Sequence, residues 1–172
     1  MNRRAFLLGF YATGGQVLLL RELVSSLNGD ELFIGTALFG WLVALAAGAW
    51  LGGRCRSGPS SKRLLAGGAV LLPAVIVITR LAPNALGGTT GEIVPFCVAA
   101  VISIVAMLPV AFLAGWLFPV ITREGRTASA SIVRVYFFEG VGAFVAGIAI
   151  VVLVGNFLST LGTALVLSLI HI

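Results

Sequence analysis

Charge is scarce in this chain. Only 10% of its 172 residues are Asp, Glu, Lys or Arg, whereas 59% are hydrophobic and the mean hydropathy is +1.12. A soluble domain cannot bury that much apolar surface, so the shortage of charge excludes an ordinary globular protein. Acidic residues are scarcer than basic ones, six against eleven, and the net charge is +5. Because the basic residues are spread over short segments and form no single stripe, we expect no nucleic-acid partner.

Cysteine and histidine are almost absent, with two cysteines and one histidine in the whole chain. Two cysteines provide no disulfide framework, and so few thiols and imidazoles argue against a metal site. A hydrolase that depends on histidine would have only His171 available. We therefore expect no metal, no cofactor and no catalytic site within these residues.

The sequence does contain long apolar runs. Five stretches and the start of a sixth occupy residues 5–20, 32–53, 64–81, 93–121, 135–155 and 157 onward. A helix needs roughly 20 residues to cross the hydrocarbon core of a bilayer, and most of these runs reach that length. The sequence therefore predicts an all-α, polytopic membrane helix bundle of about six transmembrane helices, the last of them truncated.

The basic residues lie on alternate connections between the runs. Nine belong to one side, namely Arg3, Arg4, Arg54, Arg56, Lys62, Arg63, Arg123, Arg126 and Arg134, and two belong to the other, Arg21 and Arg80. By the positive-inside rule the side with nine faces the cytoplasm, so we expect a multi-pass protein of the inner membrane with both termini cytoplasmic. The first run begins like a signal peptide, but it continues without a cleavage site and is interpreted as an uncleaved span.

The last six residues, Leu167-Ser-Leu-Ile-His-Ile172, look like the in-frame translation of an adaptor used in DNA library preparation. We therefore assign residues 1–166 to one membrane domain and residues 167–172 to a tail that is not native. An ordinary apolar helix end is the alternative.

Glycine is abundant, with 22 residues, and small residues recur at a spacing of four. The pairs are Gly48 with Gly52, Ala111 with Gly115, and Ala143 with Gly147. Such spacing lets helix backbones approach closely, either within the chain or, as an alternative, at a homo-oligomer interface. The segment Ala47-Gly48-Ala49-Trp50-Leu51 is also similar to Ala114-Gly115-Trp116-Leu117, which favours either a repeated unit or shared chemistry at one membrane surface.

Polar side chains within the runs are candidates for an intramembrane site, because charges are costly in a bilayer. Gln16, Arg21 and Glu22 lie in or just after the first run, and Glu31 begins the second. One interpretation is an interfacial salt bridge from Arg21 to Asp30 or Glu31 that fixes the first helical hairpin. A functional role for the group is the alternative.

Glu139 interrupts the fifth run one to two turns inside its basic end, and Tyr136 precedes it by three residues on the same predicted helix face. We expect both side chains to face the bundle interior, since a carboxylate in contact with lipid is costly. Arg134, Arg54 or Arg56 could reach the carboxylate. An ion pair and a functional carboxylate are both open.

Several blocks together resemble one family. They are Gly9-Phe-Tyr-Ala-Thr-Gly-Gly-Gln16-Val-Leu-Leu-Leu-Arg21-Glu22-Leu, Asn28-Gly-Asp-Glu31-Leu-Phe-Ile-Gly35, Gly115-Trp-Leu-Phe-Pro119 and Arg134-Val-Tyr136-Phe-Phe-Glu139-Gly-Val-Gly-Ala-Phe-Val-Ala-Gly147. This pattern is similar to the membrane domain of spermidine-synthase-like proteins, the membrane-embedded relatives of polyamine aminopropyltransferases. The resemblance implies a Rossmann-like aminopropyltransferase domain that follows the membrane part. The chain has no glycine-rich nucleotide loop of that kind, so no catalytic residue is assigned.

A second, partial resemblance concerns the basic connection Gly53-Arg54-Cys-Arg56-Ser-Gly58-Pro-Ser-Ser-Lys62-Arg63. It resembles the loop between the second and third helices of major facilitator transporters, although the acidic residue of that loop is missing. The second hypothesis is therefore a small transporter-like module that binds or moves a cationic solute such as a polyamine. A purely structural anchor is the third.

Overall fold

The computed structural model describes residues 2–27, 31–55, 58–85, 95–124, 128–156 and 159–171. Within these residues all regular structure is helical, as the sequence predicts. The six helices are α1 (Asn2–Leu27), α2 (Glu31–Arg54), α3 (Ser61–Ala85), α4 (Phe96–Arg123), α5 (Ala128–Asn156) and α6 (Thr160–His171).

Four of these helices are long and apolar enough to cross a membrane, which identifies the chain as a membrane protein. The candidate spans are Glu31–Arg54, Ser61–Leu81, Phe96–Arg123 and Ile132–Val154. Helix α1 has 26 residues but is more polar, since it includes Gln16 and carries charged residues towards both ends. Helix α6 has 12 residues and begins at Thr160, three residues later than the predicted run. Leu167 of α6 belongs to the hydrophobic core, and whether residues 167–172 are native stays a prediction.

Helix α1 lies at the centre of the bundle, where it contacts each of the other five helices. Half of its residues are buried, among them Leu8, Tyr11, Leu18 and Leu23. This position explains how the most polar of the long helices is accommodated, because the other five helices cover much of its surface.

Helices α2 and α4 cross at backbone contact through glycine. A β-carbon on Gly48 would overlap the carbonyl oxygen of Phe112, and one on Gly115 would overlap that of Leu45. Further along the same pair, a β-carbon on Gly52 would lie 2.9 Å from the carbonyl oxygen of Trp116. The spacing of Gly48 with Gly52 and of Ala111 with Gly115 therefore serves packing within the chain.

Helices α1 and α5 repeat this arrangement. A β-carbon on Gly9 would overlap the carbonyl oxygen of Glu139, and one on Gly142 would overlap that of Phe6. In both crossings each glycine contacts the carbonyl of the residue three positions before the partner glycine. The segments on α1 and α4 are also alike in sequence, Ala5-Phe-Leu-Leu-Gly-Phe10 and Ala111-Phe-Leu-Ala-Gly-Trp116. The pair Ala143 with Gly147 makes no such approach within the described part of the chain, because a β-carbon on Gly147 would meet no atom within 4 Å. The alternative of a homo-oligomer interface at this pair stays a prediction.

We predict that Gly142→Ala destabilises the bundle, because the added methyl group would overlap backbone that cannot move as a side chain can. The free energy of unfolding should fall by about 1–3 kcal/mol or more. Gly147→Ala, on the same helix but facing open space, should leave stability unchanged or slightly improved. Thermal unfolding of the two purified variants in one detergent measures the difference, and equal melting temperatures would contradict the crossing.

Candidate functional site

A buried ion pair joins α1 and α3 at the end of the bundle where α1 ends and α2 begins. Arg80 donates from Nε to Glu22 Oε1 over 2.7 Å and from Nη2 to Glu22 Oε2 over 3.2 Å. The Glu22 side chain is only 3% exposed, whereas that of Arg80 is 50% exposed. The arginine therefore pairs with a desolvated carboxylate through two hydrogen bonds while water still reaches its other side.

This pair replaces the salt bridge predicted for the first hairpin. Arg21 and Glu31 are both exposed and form no ion pair with each other, and Asp30 lies outside the described residues. Glu22, the neighbour of Arg21, takes the structural role instead, because its direction on α1 faces α3. Gln16 is half-buried, and its side chain makes no hydrogen bond with any described residue.

Glu139 lies at the crossing of α1 and α5, where its carbonyl packs against Gly9. Its side chain is half-buried and forms no ion pair or hydrogen bond with a described residue. Arg134 is exposed, and the Arg54 guanidinium lies instead over the Trp50 ring, 3.7 Å from its centroid. Arg56, the third expected partner, lies outside the described residues.

Tyr136 does not face the bundle interior, contrary to the sequence prediction. Its side chain is 67% exposed, and its ring packs edge-on against Phe118 with the centroids 5.7 Å apart. Residues three apart on a helix differ by about 60° in direction. Because α5 is the least buried of the four spanning helices, that difference carries Tyr136 outside its narrow contact face.

A polar network that was not predicted from the sequence lies at the opposite end of the bundle, where α1 and α3 begin and α2 and α4 end; we call this the basic end. Glu124, directly after α4, forms an ion pair with Arg4. The backbone N–H of Ser61 donates to Glu124 Oε1 over 3.2 Å, and its hydroxyl donates to Oε2 over 2.8 Å. Arg4 also donates to the Ser61 hydroxyl over 3.0 Å. One carboxylate thus joins the beginnings of α1 and α3 to the end of α4.

Arg123 makes the complementary contact with α2. Its guanidinium donates to the carbonyl oxygen of Gly52 and, over 2.8 Å, to that of Cys55. A cation at the C-terminus of a helix and an anion at an N-terminus both stabilise the helix, because each lies beside a helix end of opposite partial charge. Two adjacent residues, Arg123 at the end of α4 and Glu124 directly after it, therefore hold the end of α2 and the beginning of α3.

The charge state of Glu124 fits this role. Burial acts to raise the pKa of its carboxyl group, but the hydrogen bonds from Ser61 and the charge of Arg4 outweigh burial. The pKa therefore lies below its ordinary value, so the carboxylate is charged at neutral pH. A signal for the site exists in the sequence, since an Arg-Glu pair directly follows the fourth apolar run, but its partners are distant along the chain.

These polar groups form no recognisable catalytic arrangement. Among the described residues no group of three or more His, Cys, Asp or Glu side chains could hold a metal ion. The candidate residues also do not meet in one place, because Glu22 and Glu139 lie towards opposite ends of the bundle and Tyr136 faces outward. No family model, curated protein or solved structure matches the chain.

The Glu22–Arg80 pair predicts unequal effects of removing its two members. Arg80→Gln leaves a buried carboxylate without its cation, and we expect a loss towards the lower end of about 3–5 kcal/mol. Glu22→Gln leaves a half-exposed guanidinium that water can solvate, and about 1 kcal/mol or less should be lost. Thermal unfolding in detergent measures both.

Glu31→Gln is the matched control, because Glu31 is an exposed acidic residue, and its effect should stay within about 0.5 kcal/mol. A larger loss for Glu22→Gln than for Arg80→Gln would contradict the assignment of the carboxylate as the buried member.

Proposed function

We propose that this chain is the membrane domain of a spermidine-synthase-like protein and anchors a cytoplasmic aminopropyltransferase domain that lies outside these residues. The sequence blocks that resemble the family support the proposal. One of them contains Glu22, and its carboxylate is engaged by Arg80 in holding two helices together. Glu22 is the most buried acidic residue in the described part of the chain, and its structural role fits an anchor.

The observation that carries the proposal is that the basic end is held as one unit. Arg4, Ser61, Arg123 and Glu124 connect the ends of four helices. A soluble domain attached to this end would have a fixed base. Towards the other end, the buried hydroxyls of Thr79 and Ser103 bond to carbonyls of their own helices and offer no polar path.

The proposal includes six membrane spans, an inner-membrane location and a cytoplasmic basic end. The bias of Lys and Arg towards the basic end supports this orientation. An aminopropyltransferase domain on that side would meet its soluble substrates directly.

The orientation predicts which positions react with a membrane-impermeant thiol reagent. With Cys55 and Cys97 replaced by serine, Ser60→Cys should react only after the cells are opened, and Thr89→Cys should react in intact cells. Labelling of Ser60→Cys from outside intact cells would reverse the orientation. Full labelling of both variants in denaturant is the control for expression and reactivity.

A second candidate function is a transporter-like module that binds or moves a cationic solute such as a polyamine. One observation favours it, the Glu139 carboxylate, which is half-buried in a spanning helix without an ion-pair partner among the described residues. Intramembrane carboxylates of this kind often serve in solute or proton pathways. Its position beside the tight α1–α5 crossing gives it a rigid setting.

A direct comparison separates the two functions. The anchor proposal predicts that the purified chain in liposomes neither takes up nor binds radiolabelled spermidine, and that it forms no spermidine from putrescine and decarboxylated S-adenosylmethionine. Uptake that Glu139→Gln abolishes, while yield and melting temperature stay normal, would favour the transporter. Uptake that is unaffected by Glu139→Gln would contradict the anchor and also remove Glu139 from the pathway. Product formation would contradict the expected absence of a catalytic site.

A further inference from the structure

A positioned guanidinium with unused hydrogen-bond donors lies at the basic end. Arg54 is exposed in the last turn of α2, and its guanidinium stacks over Trp50 one turn earlier, 3.7 Å from the ring centroid. Such a cation–π contact orients the group without using its N–H donors. Arg54 donates to no acceptor among the described residues, unlike Arg4, Arg80 and Arg123.

The neighbouring groups leave that charge uncompensated. Arg123 occupies the carbonyl oxygens of Gly52 and Cys55, which an arginine near the end of α2 would otherwise bond. Arg4 and Ser61 already engage both oxygens of Glu124, the acidic residue that follows α4. These side chains together therefore carry a net positive charge.

The cation and the ring that orients it lie on one face of α2. Because α2 makes no contact with α3 in the described part of the chain, this face is separate from the network of Arg4, Ser61 and Glu124. We call Trp50 and Arg54 the Trp50–Arg54 corner. Basic side chains beside a membrane-crossing helix attract anionic lipid headgroups.

The surface that continues from the corner along α2 is apolar. Trp50 is 60% exposed, and Phe39, Leu42 and Val43 are exposed further along the helix. A ligand at the corner thus has a cationic contact at one end and a hydrocarbon-compatible surface at the other. That combination fits an amphiphile with an acidic head better than a free anion or an acidic peptide.

We propose that the Trp50–Arg54 corner binds an anionic phospholipid, with the headgroup phosphate on Arg54 and an acyl chain along the exposed face of α2. Arginine suits this role because its planar group can offer paired N–H donors to phosphate oxygens. The proposal requires a membrane protein but does not depend on which domain the bundle carries.

The test is a titration of the purified protein with phosphatidylglycerol or phosphatidylcholine, followed by native mass spectrometry. The wild-type protein should bind phosphatidylglycerol more tightly than phosphatidylcholine. Arg54→Gln should weaken phosphatidylglycerol binding by about fivefold, the effect of one basic residue near a lipid surface, without changing phosphatidylcholine binding. Trp50→Leu should act in the same direction, because it removes the ring that orients Arg54.

Arg21→Gln is the matched control, since Arg21 is also exposed and unpaired among the described residues but lies at the opposite end of the bundle. It should keep the wild-type preference. Three results would overturn the proposal: an unchanged preference in Arg54→Gln, an equal loss in Arg21→Gln, or displacement of the lipid by excess inorganic phosphate, which would assign the corner to free anions. Melting temperatures in phosphatidylcholine check that each variant is folded.

Discussion

The close approach of helix backbones at two glycine crossings determines the positions of four of the six helices. Gly48 and Gly115 allow α2 and α4 to touch, and Gly9 and Gly142 do the same for α1 and α5. Within a bilayer the hydrophobic effect does not drive helices together, so van der Waals contact over such surfaces carries much of the association. The other helices pack around this frame, with α3 and α6 in contact with each other and with α1.

The crossings also determine where polar groups can lie. Along most of their length the packed faces contain small and aliphatic residues, and the strong polar contacts lie towards the two ends of the bundle. Glu22 with Arg80 joins α1 to α3 at one end, and Glu124 with Arg4 and Ser61 joins three helices at the other. Exposure of the arginines lowers the desolvation cost of these pairs. Glu139 differs, because it lies on a crossing without such a partner among the described residues.

The helices themselves could be predicted from the sequence because hydropathy is a local property. The predicted runs 32–53 and 93–121 correspond to α2 (Glu31–Arg54) and α4 (Phe96–Arg123) within a few residues. Helix pairing could not be predicted, since glycine spacing shows that a helix can approach another but not which one. Gly142 and Gly147 differ little in sequence context, yet only Gly142 faces α1. The likeness between the segments around Gly48 and Gly115 has a physical basis, because these two glycines belong to one crossing.

The candidate site was predicted less well for the same reason. The partners predicted for Arg21 lie within ten positions of it, whereas Glu22 pairs with a residue 58 positions away and Ser61 with one 63 positions away. The prediction that Tyr136 faces the bundle interior is wrong because it was inferred from the spacing of three residues to Glu139. The contact face of α5 is too narrow to include both side chains. Polar residues within apolar runs can be identified from the sequence, but their partners depend on the fold.

Arg123 and Glu124 are consecutive residues, and each holds a different helix end. A rotation of the end of α4 about the helix axis would therefore move the end of α2 and the beginning of α3 together. The end of α2 and the beginning of α3 are thus each fixed to α4, and this constraint does not depend on the side chains of the residues that join the two helices.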